Sequence, residues 1–301
     1  MDEYRAHFVP AQEIPPGAVS VMWLGVTGLV VSDGAQTLLI DPFFTRPEGL
    51  LRFASNAQIA PDETKIRAAL ERAGVKRVDS VLVSHSHFDH AMDAGVVAKL
   101  TSAELAGSQS TANIGRGAGV DESHLRVVRP GEPLQYGAFT VTFIESRHAG
   151  ATGGRPTGDI AQPLTPPARY LDYRLGGTYS ILVQHPRGTF LHHGSAGYID
   201  GALAGKHADV VFLGVALTDD LPAYLRAVVD ATGAHRVIPV HWDDFTRGLQ
   251  EEMLPFPVVV NLPKFFRGMQ QRSDLQVQTL EAFRPVVLFG PEARAPEARA
   301  P

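Results

Sequence analysis

The six residues from 85 to 90 include four side chains of the types that bind metal ions. His85, His87, Asp89 and His90 follow the apolar run Val81-Leu82-Val83, which is typical of a short buried strand. Alternate residues of an extended chain share a face, so His85 and His87 can point at one ion. Asp89 and His90 come where the chain turns into a helix and are aimed at a second position. This spacing predicts a metal centre rather than a solvated polar turn, with room for two ions about 3.5–4 Å apart.

The composition restricts what kind of metal centre this can be. The chain has no cysteine, which excludes disulfides, thiolate zinc sites and cysteine nucleophiles. Any metal must therefore be held by histidine and carboxylate. Such nitrogen-rich ligation favours Zn²⁺, as one or two ions, with Mn²⁺, Fe²⁺ or Ni²⁺ as alternatives. A bound ion would lower the pKa of its water to roughly 7 and so produce a hydroxide nucleophile.

A ligand cluster of this kind needs rigid elements to hold it, and the apolar patterning predicts them. Short or alternating apolar runs predict strands at residues 19–24, 29–32, 37–40, 81–83, 103–107, 124–128, 139–144, 179–184, 189–192, 209–213, 236–240, near 257–260 and 285–289. Helical spacing predicts helices at residues 63–74 and 90–100, between 107 and 124, and at 221–231. No glycine-rich phosphate-binding motif follows a strand, so nucleotide binding has no support.

Length and charge favour one domain that acts on a small molecule. The chain has 301 residues, 44% hydrophobic and 20% charged, which is ordinary globular composition for a single α/β domain. A net charge of −5 gives no electrostatic footprint for nucleic acid or an anionic membrane. No signal core or membrane-length apolar run occurs, so we expect a soluble, cytoplasmic protein. The repetitive residues 291–301 lack core-forming side chains and predict a disordered tail. The sequence gives no indication of oligomeric state.

The metal motif and its surroundings resemble the metallo-β-lactamase superfamily, whose hallmark is His-x-His-x-Asp-His after a strand. Trp23-Leu24-Gly25 and Leu39-Ile40-Asp41-Pro42 are similar to the opening strands of the branch that includes L-ascorbate-6-phosphate lactonase and N-acylphosphatidylethanolamine phospholipase D. The resemblance implies an α/β fold, a four-layer αββα sandwich formed by residues 1–290, with the metals at one edge. It implies these ligands: His85, His87 and His148 for the first ion, and Asp89, His90 and His241 for the second.

Two positions depart from the pattern of this family. The branch often has Gly-His-Ala where this chain has Gly25-Val26-Thr27, and the usual bridging aspartate is replaced by Ser195. Two dications about 3.8 Å apart repel by on the order of 18 kcal/mol at an effective dielectric constant of 20, which a bridging carboxylate normally offsets. Either the second ion binds weakly, or hydroxide and an anionic substrate supply the charge. His193 and Asp219 are alternative replacements for the bridge.

Several other side chains are candidates for the site. Asp41 is expected to orient a ligand histidine from behind. His192 and His193 alternate on a strand, so only one of them can face the metals. Asp243 or Asp244, which follow His241, could orient that histidine or donate a proton, although helix capping explains them equally well.

Residues 149–178 form a long stretch without a clear helix or strand pattern, directly after His148. Long loops inside compact domains are usually functional or disordered. Its tyrosines and arginines offer stacking and anion contacts, so we expect a substrate lid. The substrate-binding candidates are Tyr170, Tyr173, Arg174 and His193.

Together these features predict a metal-dependent hydrolase that uses metal-bound hydroxide on a small ester, lactone or related carboxylic derivative. Asp89 and Asp41 are its candidate catalytic carboxylates. Two alternatives stay open at this point. One is a phosphodiesterase of the same fold, and the other is a metal- or ligand-binding module without catalysis, which would bind metal but turn over no substrate.

Overall fold

Two seven-stranded sheets form the centre of the computed structural model, which describes residues 1–150, 154–257 and 259–291. The first sheet contains, in spatial order, β16 (Val286–Phe289), β1 (Val19–Gly25), β2 (Gly28–Ser32), β3 (Thr37–Ile40), β5 (Ser80–Leu82), β6 (Glu104–Gly107) and β7 (Leu125–Val127). The second contains β15 (Gln276–Val277), β14 (Arg236–Val240), β13 (Val210–Gly214), β12 (Gly188–His193), β11 (Tyr179–His185), β9 (Phe139–Glu145) and β8 (Pro133–Tyr136). A separate pair is formed by β4 (Gln58–Ile59) and β10 (Ala168–Arg169).

Each large sheet has an antiparallel half and a parallel half. In the first sheet the pairs from β16 to β3 are antiparallel and those from β3 to β7 are parallel. In the second, the pairs from β8 to β12 are antiparallel and those from β12 to β15 are parallel. The parallel strands β5 and β14 both end near the same edge of the sandwich, and this edge holds the residues described below.

The first sheet is buried on both faces, which explains its continuous apolar runs. In β1, Val21 and Trp23 belong to the core between the sheets, whereas Met22 and Leu24 belong to the core under the helices. Successive side chains of a strand point to opposite faces, so each face of β1 receives an apolar residue at every second position.

Helices cover the outer face of each sheet. The helices are α1 (Asp2–Ala6), α2 (Leu50–Ala54), α3 (Glu63–Arg72), α4 (Phe88–Ala91), α5 (Ala94–Thr101), α6 (Gln109–Ala118), α7 (Leu221–Leu225) and α8 (Leu262–Met269). Helices α3, α5 and α6 pack on the first sheet. Helices α7 and α8, with a π-helical turn at Arg226–Asp230, pack on the second. The predicted four-layer αββα sandwich is confirmed.

Several elements differ from the sequence prediction, among them β8 and the short helices α1 and α2, which the patterning did not predict. The helix predicted at 90–100 is divided into α4 and α5, with Met92 and Asp93 between them, and the carboxylate of Asp93 accepts hydrogen bonds from the loop at Phe44 and Thr45. The strand predicted near 257–260 is a turn in its described residues, since the backbone N–H groups of Val259 and Val260 both donate to the carbonyl of Phe256. Helix α8 was not predicted, although its N-cap Asn261 and Pro263 are ordinary start signals.

The tail predicted at 291–301 falls, from residue 292 onward, outside the described residues. Within the described part of the chain, no helix has both the length and the apolar character needed to cross a membrane.

Candidate metal centre

Three histidines from two strands form the first group of ligand atoms. His85 and His87 lie on the extended segment after β5, and His148 lies just beyond β9. One ligand nitrogen of each lies within 4.8 Å of the others. Nε2 of His87 donates to the carbonyl of Pro156 at 3.3 Å, and Nδ1 of His148 donates to the carbonyl of Ala149 at 2.8 Å. These bonds leave one unprotonated nitrogen on each ring to face the group.

The third nitrogen of this group supports metal binding independently of any motif. Nε2 of His85 is buried and has no hydrogen-bond partner. A buried polar atom without a partner is costly, by about 1–3 kcal/mol, and is therefore rare in folded proteins. An ion at the centre of the group would satisfy it, so the residues present fit a metal.

The second group combines a carboxylate with two further histidines. Helix α4 carries Asp89 and His90, and His241 follows β14. Their ligand atoms also lie within 4.8 Å of one another. Nε2 of His90 is 3.3 Å from Nε2 of His241, and Oδ2 of Asp89 is 3.4 Å from the latter nitrogen. The two sheets thus contribute to both groups, since β5 and α4 belong to one half of the sandwich and β9 and β14 to the other.

Asp41 fixes the orientation of His90. Its Oδ2 lies 2.9 Å from Nδ1 of His90. Because a carboxylate can only accept, His90 carries its proton on Nδ1 and directs the free Nε2 into the second group. Asp41 is itself held by the hydroxyl of Thr27 at 2.9 Å, and by the hydroxyl and backbone N–H of Ser84 at 2.6 and 2.7 Å. Asp41 is fully buried and does not line the cavity.

The protonation states of the first group suit a metal site. Burial, followed by the neighbouring histidines, lowers the pKa of His85 well below its usual value. Burial and His148 lower the pKa of His87 to about 4. Burial also lowers the pKa of His148. All three rings are therefore neutral near pH 7, as metal ligands must be.

The second group attracts positive charge. Burial alone would raise the pKa of Asp89, but His90 and His241 hold this pKa well below its usual range, so the carboxylate is ionised. Burial opposes a charge on His90, yet the carboxylates of Asp89 and Asp41 raise its pKa. The two carboxylates thus favour a positive charge on the ring of His90, and a metal cation bound at Nε2 would supply that charge in place of a second ring proton.

A cavity of about 180 Å³ opens onto both groups. It is lined by Phe53, His87, Phe88, Asp89, His148, Ala149, Arg155, Pro156, Tyr170, Leu171, Ser195, Ala216, Leu217, His241, Phe245 and Val259. A larger groove of about 1050 Å³ lies between α7 and α8 and contains no residue of either ligand group. The smaller cavity is therefore the candidate site.

The predicted substrate-binding residues separate into two sets. Tyr170 lines the cavity, together with other residues of the 149–178 loop. Tyr173, Arg174 and His193 do not line it, and their role in substrate binding stays a prediction. Tyr173 packs into the core under the helices, and Arg174 is exposed. The ring of His193 is held by Ser180 at 2.7 Å and by the carbonyl of Gly197 at 2.9 Å.

Ser195 lines the cavity but contributes to neither ligand group. Its hydroxyl accepts a hydrogen bond of 2.9 Å from the backbone N–H of Ala149. Neither His193 nor Asp219 lines the cavity in its place. Asp89 is thus the carboxylate available to the two groups within the described residues.

Several residues around the centre were missed or left open by sequence reasoning. His192 is the buried partner of Thr27, with its Nε2 3.0 Å from the carbonyl of that residue. Asp243 accepts from the backbone N–H of Val26 and pairs with the buried Arg46, and the carbonyl of Val26 accepts from the backbone N–H of His241. The one sequence signal for these contacts was the segment Gly25-Val26-Thr27, which differs from the Gly-His-Ala of the family branch. This difference did not indicate which residues Val26 and Thr27 contact.

Comparison with known proteins decides the family. The model of the metallo-beta-lactamase superfamily matches residues 21–258. The chain belongs to this superfamily. It is therefore a metal-dependent hydrolase of the metallo-β-lactamase fold, and the predicted family and enzyme class are confirmed.

Relatives and solved structures agree with this assignment. A probable L-ascorbate-6-phosphate lactonase of Escherichia coli O127:H6 (strain E2348/69 / EPEC) is 24% identical over 275 residues, which cover 81% of this chain and 75% of the relative. Igni18, a metallo hydrolase from Ignicoccus hospitalis, matches with a TM-score of 0.58 and 14% identity over 89% of this chain and 97% of its own. A possible metal-dependent hydrolase from Veillonella parvula matches with a TM-score of 0.57 and 16% identity over 90% and 100%. At these identities the two solved structures support the fold alone.

Proposed function

We propose that this chain hydrolyses a small ester, lactone or related carboxylic derivative at one or two divalent ions. The observation that carries the proposal is the opening of both ligand groups onto one small cavity. The name of the lactonase relative supports a carboxylic substrate. A bound divalent ion supplies an acidified water and polarises the carbonyl oxygen of the substrate.

We assign one ion to each of the two groups of ligand atoms. His85, His87 and His148 hold the first ion as neutral imidazoles, and this set favours Zn²⁺, with Mn²⁺, Fe²⁺ or Ni²⁺ as alternatives. In the second set, Asp89, His90 and His241, one carboxylate is present and the bridging position is Ser195. We therefore expect the second ion to be the weaker of the two.

The protein side chains then have separate tasks. Asp41 keeps His90 in the tautomer that offers Nε2 to an ion. Asp89 is ionised and lines the cavity, so its carboxylate can also accept the proton of an attacking water. The aromatic and aliphatic wall around these groups excludes bulk water, which strengthens every electrostatic interaction inside the cavity.

The test combines metal content with a substrate panel. Purified protein is loaded with Zn²⁺ or Mn²⁺ and assayed on p-nitrophenyl butyrate, a γ-lactone and bis(p-nitrophenyl) phosphate. We expect turnover of the ester or lactone, and we expect His87→Ala to lose both metal and activity. His124→Ala is the matched control, because His124 lies in a 3₁₀ turn before β7 and belongs to neither ligand group.

Each other result has a definite meaning. Turnover of the phosphodiester alone would favour the phosphodiesterase alternative. Bound metal with no turnover across the panel would favour a binding module. Unchanged metal stoichiometry in His87→Ala would refute the ligand assignment itself.

A further inference from the structure

Large exposed hydrophobic side chains are concentrated at the mouth of the cavity. In the described part of the chain they are Leu50, Leu51, Phe53, Val127, Leu171 and Leu217. Phe53, Leu171 and Leu217 line the cavity. Leu50 and Leu51 share the short helix α2 with Phe53, and α2 has no buried residue. Contiguous exposed apolar surface of this kind usually marks a binding site.

The wall behind this mouth is aromatic. Phe88 and Tyr170 meet edge to face with ring centroids 4.7 Å apart, and Phe53 meets Tyr170 in the same way at 5.4 Å. Phe245 contacts both phenylalanines, at 5.9 and 6.3 Å, and also approaches the ring of His241 at 6.0 Å. The apolar wall therefore reaches from the solvent to a metal ligand without interruption.

Leu217 has a backbone conformation that leucine does not favour. Its φ is 57°, in the left-handed region where glycine and asparagine are more stable. Its side chain is 40% exposed, so burial in the core does not explain why a leucine stands there. Backbone strain of this kind is concentrated at functional sites. Leu217 lines the cavity and also the adjoining groove between α7 and α8.

We propose that the substrate carries an alkyl chain or aromatic ring, which binds against Phe53, Tyr170, Leu171, Leu217 and Phe245 while its ester or lactone carbonyl lies at the metal centre. This inference rests on the proposed function and specifies its substrate class. A polyhydroxylated substrate fits poorly, because such a wall would leave its hydroxyl groups without hydrogen-bond partners. Arg155 is the cation on the described wall and can contact a carboxylate at the outer end of the substrate.

The first experiment measures chain-length dependence. The metal-loaded enzyme is assayed on p-nitrophenyl acetate, butyrate, hexanoate and octanoate. Each buried methylene should raise kcat/KM about three- to fourfold, so each step of two should give about tenfold until the chain extends beyond the lining residues Phe53 and Leu171. Leu171→Gln and Leu217→Asn should flatten this series with metal content unchanged. Val127→Gln, which alters an exposed hydrophobic residue of β7 outside the cavity, should keep the wild-type series.

The second experiment removes catalysis from the measurement. The neutral fluorescent probe N-phenyl-1-naphthylamine is titrated into metal-free protein. It should bind wild type and Val127→Gln equally, and Leu171→Gln about fivefold more weakly, since burial of the leucine side chain against the probe is lost. Leu217→Asn should also bind the probe weakly. Because asparagine tolerates the positive φ of this position better than leucine, the melting temperature of the variant should equal that of wild type or exceed it, which would show that the weaker binding does not come from a folding defect.

The outcomes distinguish the two proposals. Ester hydrolysis with a flat chain-length series and no probe binding would overturn the apolar mouth and leave the proposed function intact. Probe binding that Leu171→Gln weakens, with no ester or lactone turnover, would support the apolar mouth and contradict the proposed function.

Discussion

Individual residues around the centre are held in backbone conformations that their side chains do not favour. Val26, Asp41, Arg46 and His241 all have positive φ values, between 40° and 58°. For a β-branched residue such as Val26 this is a rare conformation. The surroundings fix it, because the carbonyl of Val26 accepts from the backbone N–H of His241 at 2.7 Å and the N–H of Val26 donates to Oδ1 of Asp243 at 2.7 Å. At these positions the backbone strain lowers the stability of the fold, and the surrounding contacts keep the candidate ligands in place.

Asp41→Asn tests how far the second site depends on the orientation of His90. Asparagine tolerates positive φ, so the backbone should be unaffected. Its amide group would place a donor opposite Nδ1 of His90 or remove the charge that holds the tautomer. We expect about 10- to 100-fold weaker binding of the second ion, measured by competition with a chelator.

The first ion should bind to Asp41→Asn as it does to wild type. Both ions should bind normally to Asp62→Asn, which exchanges one N-cap residue for another at the start of α3. Unchanged affinity for the second ion in Asp41→Asn would contradict the role given to Asp41.

Ser195→Asp tests the missing bridge directly. A carboxylate at this place on the cavity wall would reduce the repulsion between two ions, so we expect the second ion to bind more tightly and the two-step release by chelator to approach a single step. Ser195→Asn is the matched neutral control. If the two variants titrate alike, Ser195 does not occupy the position of a bridging ligand.

At the scale of elements, the sequence predicted what is local and missed what depends on tertiary contacts. The run from His85 to His90 holds four candidate ligands in one segment, so its spacing alone indicated a metal centre. His148 and His241 lie far away in sequence and were assigned only through resemblance to the family. Tyr170 and Tyr173 could not be distinguished in an irregular loop, because a 3₁₀ turn at Tyr170–Asp172 decides which of them lines the cavity.

Asp93 lies between α4 and α5, and the energetics of its buried carboxylate can be tested. Burial raises the pKa of Asp93 from 3.8 to about 6, even though Phe44 and Thr45 donate hydrogen bonds to it. The folded state therefore binds this proton more tightly than the unfolded state. Asp93 then contributes stability at pH 4 that is lost as the pH rises to 7, by about 2 kcal/mol.

The measurement is urea denaturation of metal-free wild type and Asp93→Asn at pH 4 and pH 7. The difference in unfolding free energy between the two proteins should change by about 2 kcal/mol, with wild type relatively more stable at pH 4. The comparison cancels the contributions of carboxylates common to both. A difference that is independent of pH would show that Asp93 titrates normally.

At the scale of the whole molecule, the proposed ligands come from both halves of the sandwich. His85, His87, Asp89 and His90 follow β5 of the first sheet, whereas His148 and His241 follow strands of the second. Metal binding should therefore stabilise the entire fold. At a free ion concentration about 1,000 times the dissociation constant, the gain is about 4 kcal/mol.

Denaturation of wild type with Zn²⁺ or with a chelator should show this gain as a shifted midpoint. In His148→Ala the shift should be largely lost, because the ion expected to bind more tightly loses one of its three ligands and its link to the second sheet. A full wild-type shift in His124→Ala would show that the loss is specific. A wild-type midpoint that does not respond to Zn²⁺ would contradict a metal centre that joins the sheets.

The separation of these ligands along the chain has a consequence for how fast the protein opens. An ion held by His87 and His148, or by His90 and His241, closes a loop of many residues, as a disulfide would. We expect such a link to form only after the sheets have docked, and an interaction absent from the transition state slows unfolding more than it speeds folding. Supply of metal would then set the lifetime of the protein against proteases as well as its activity.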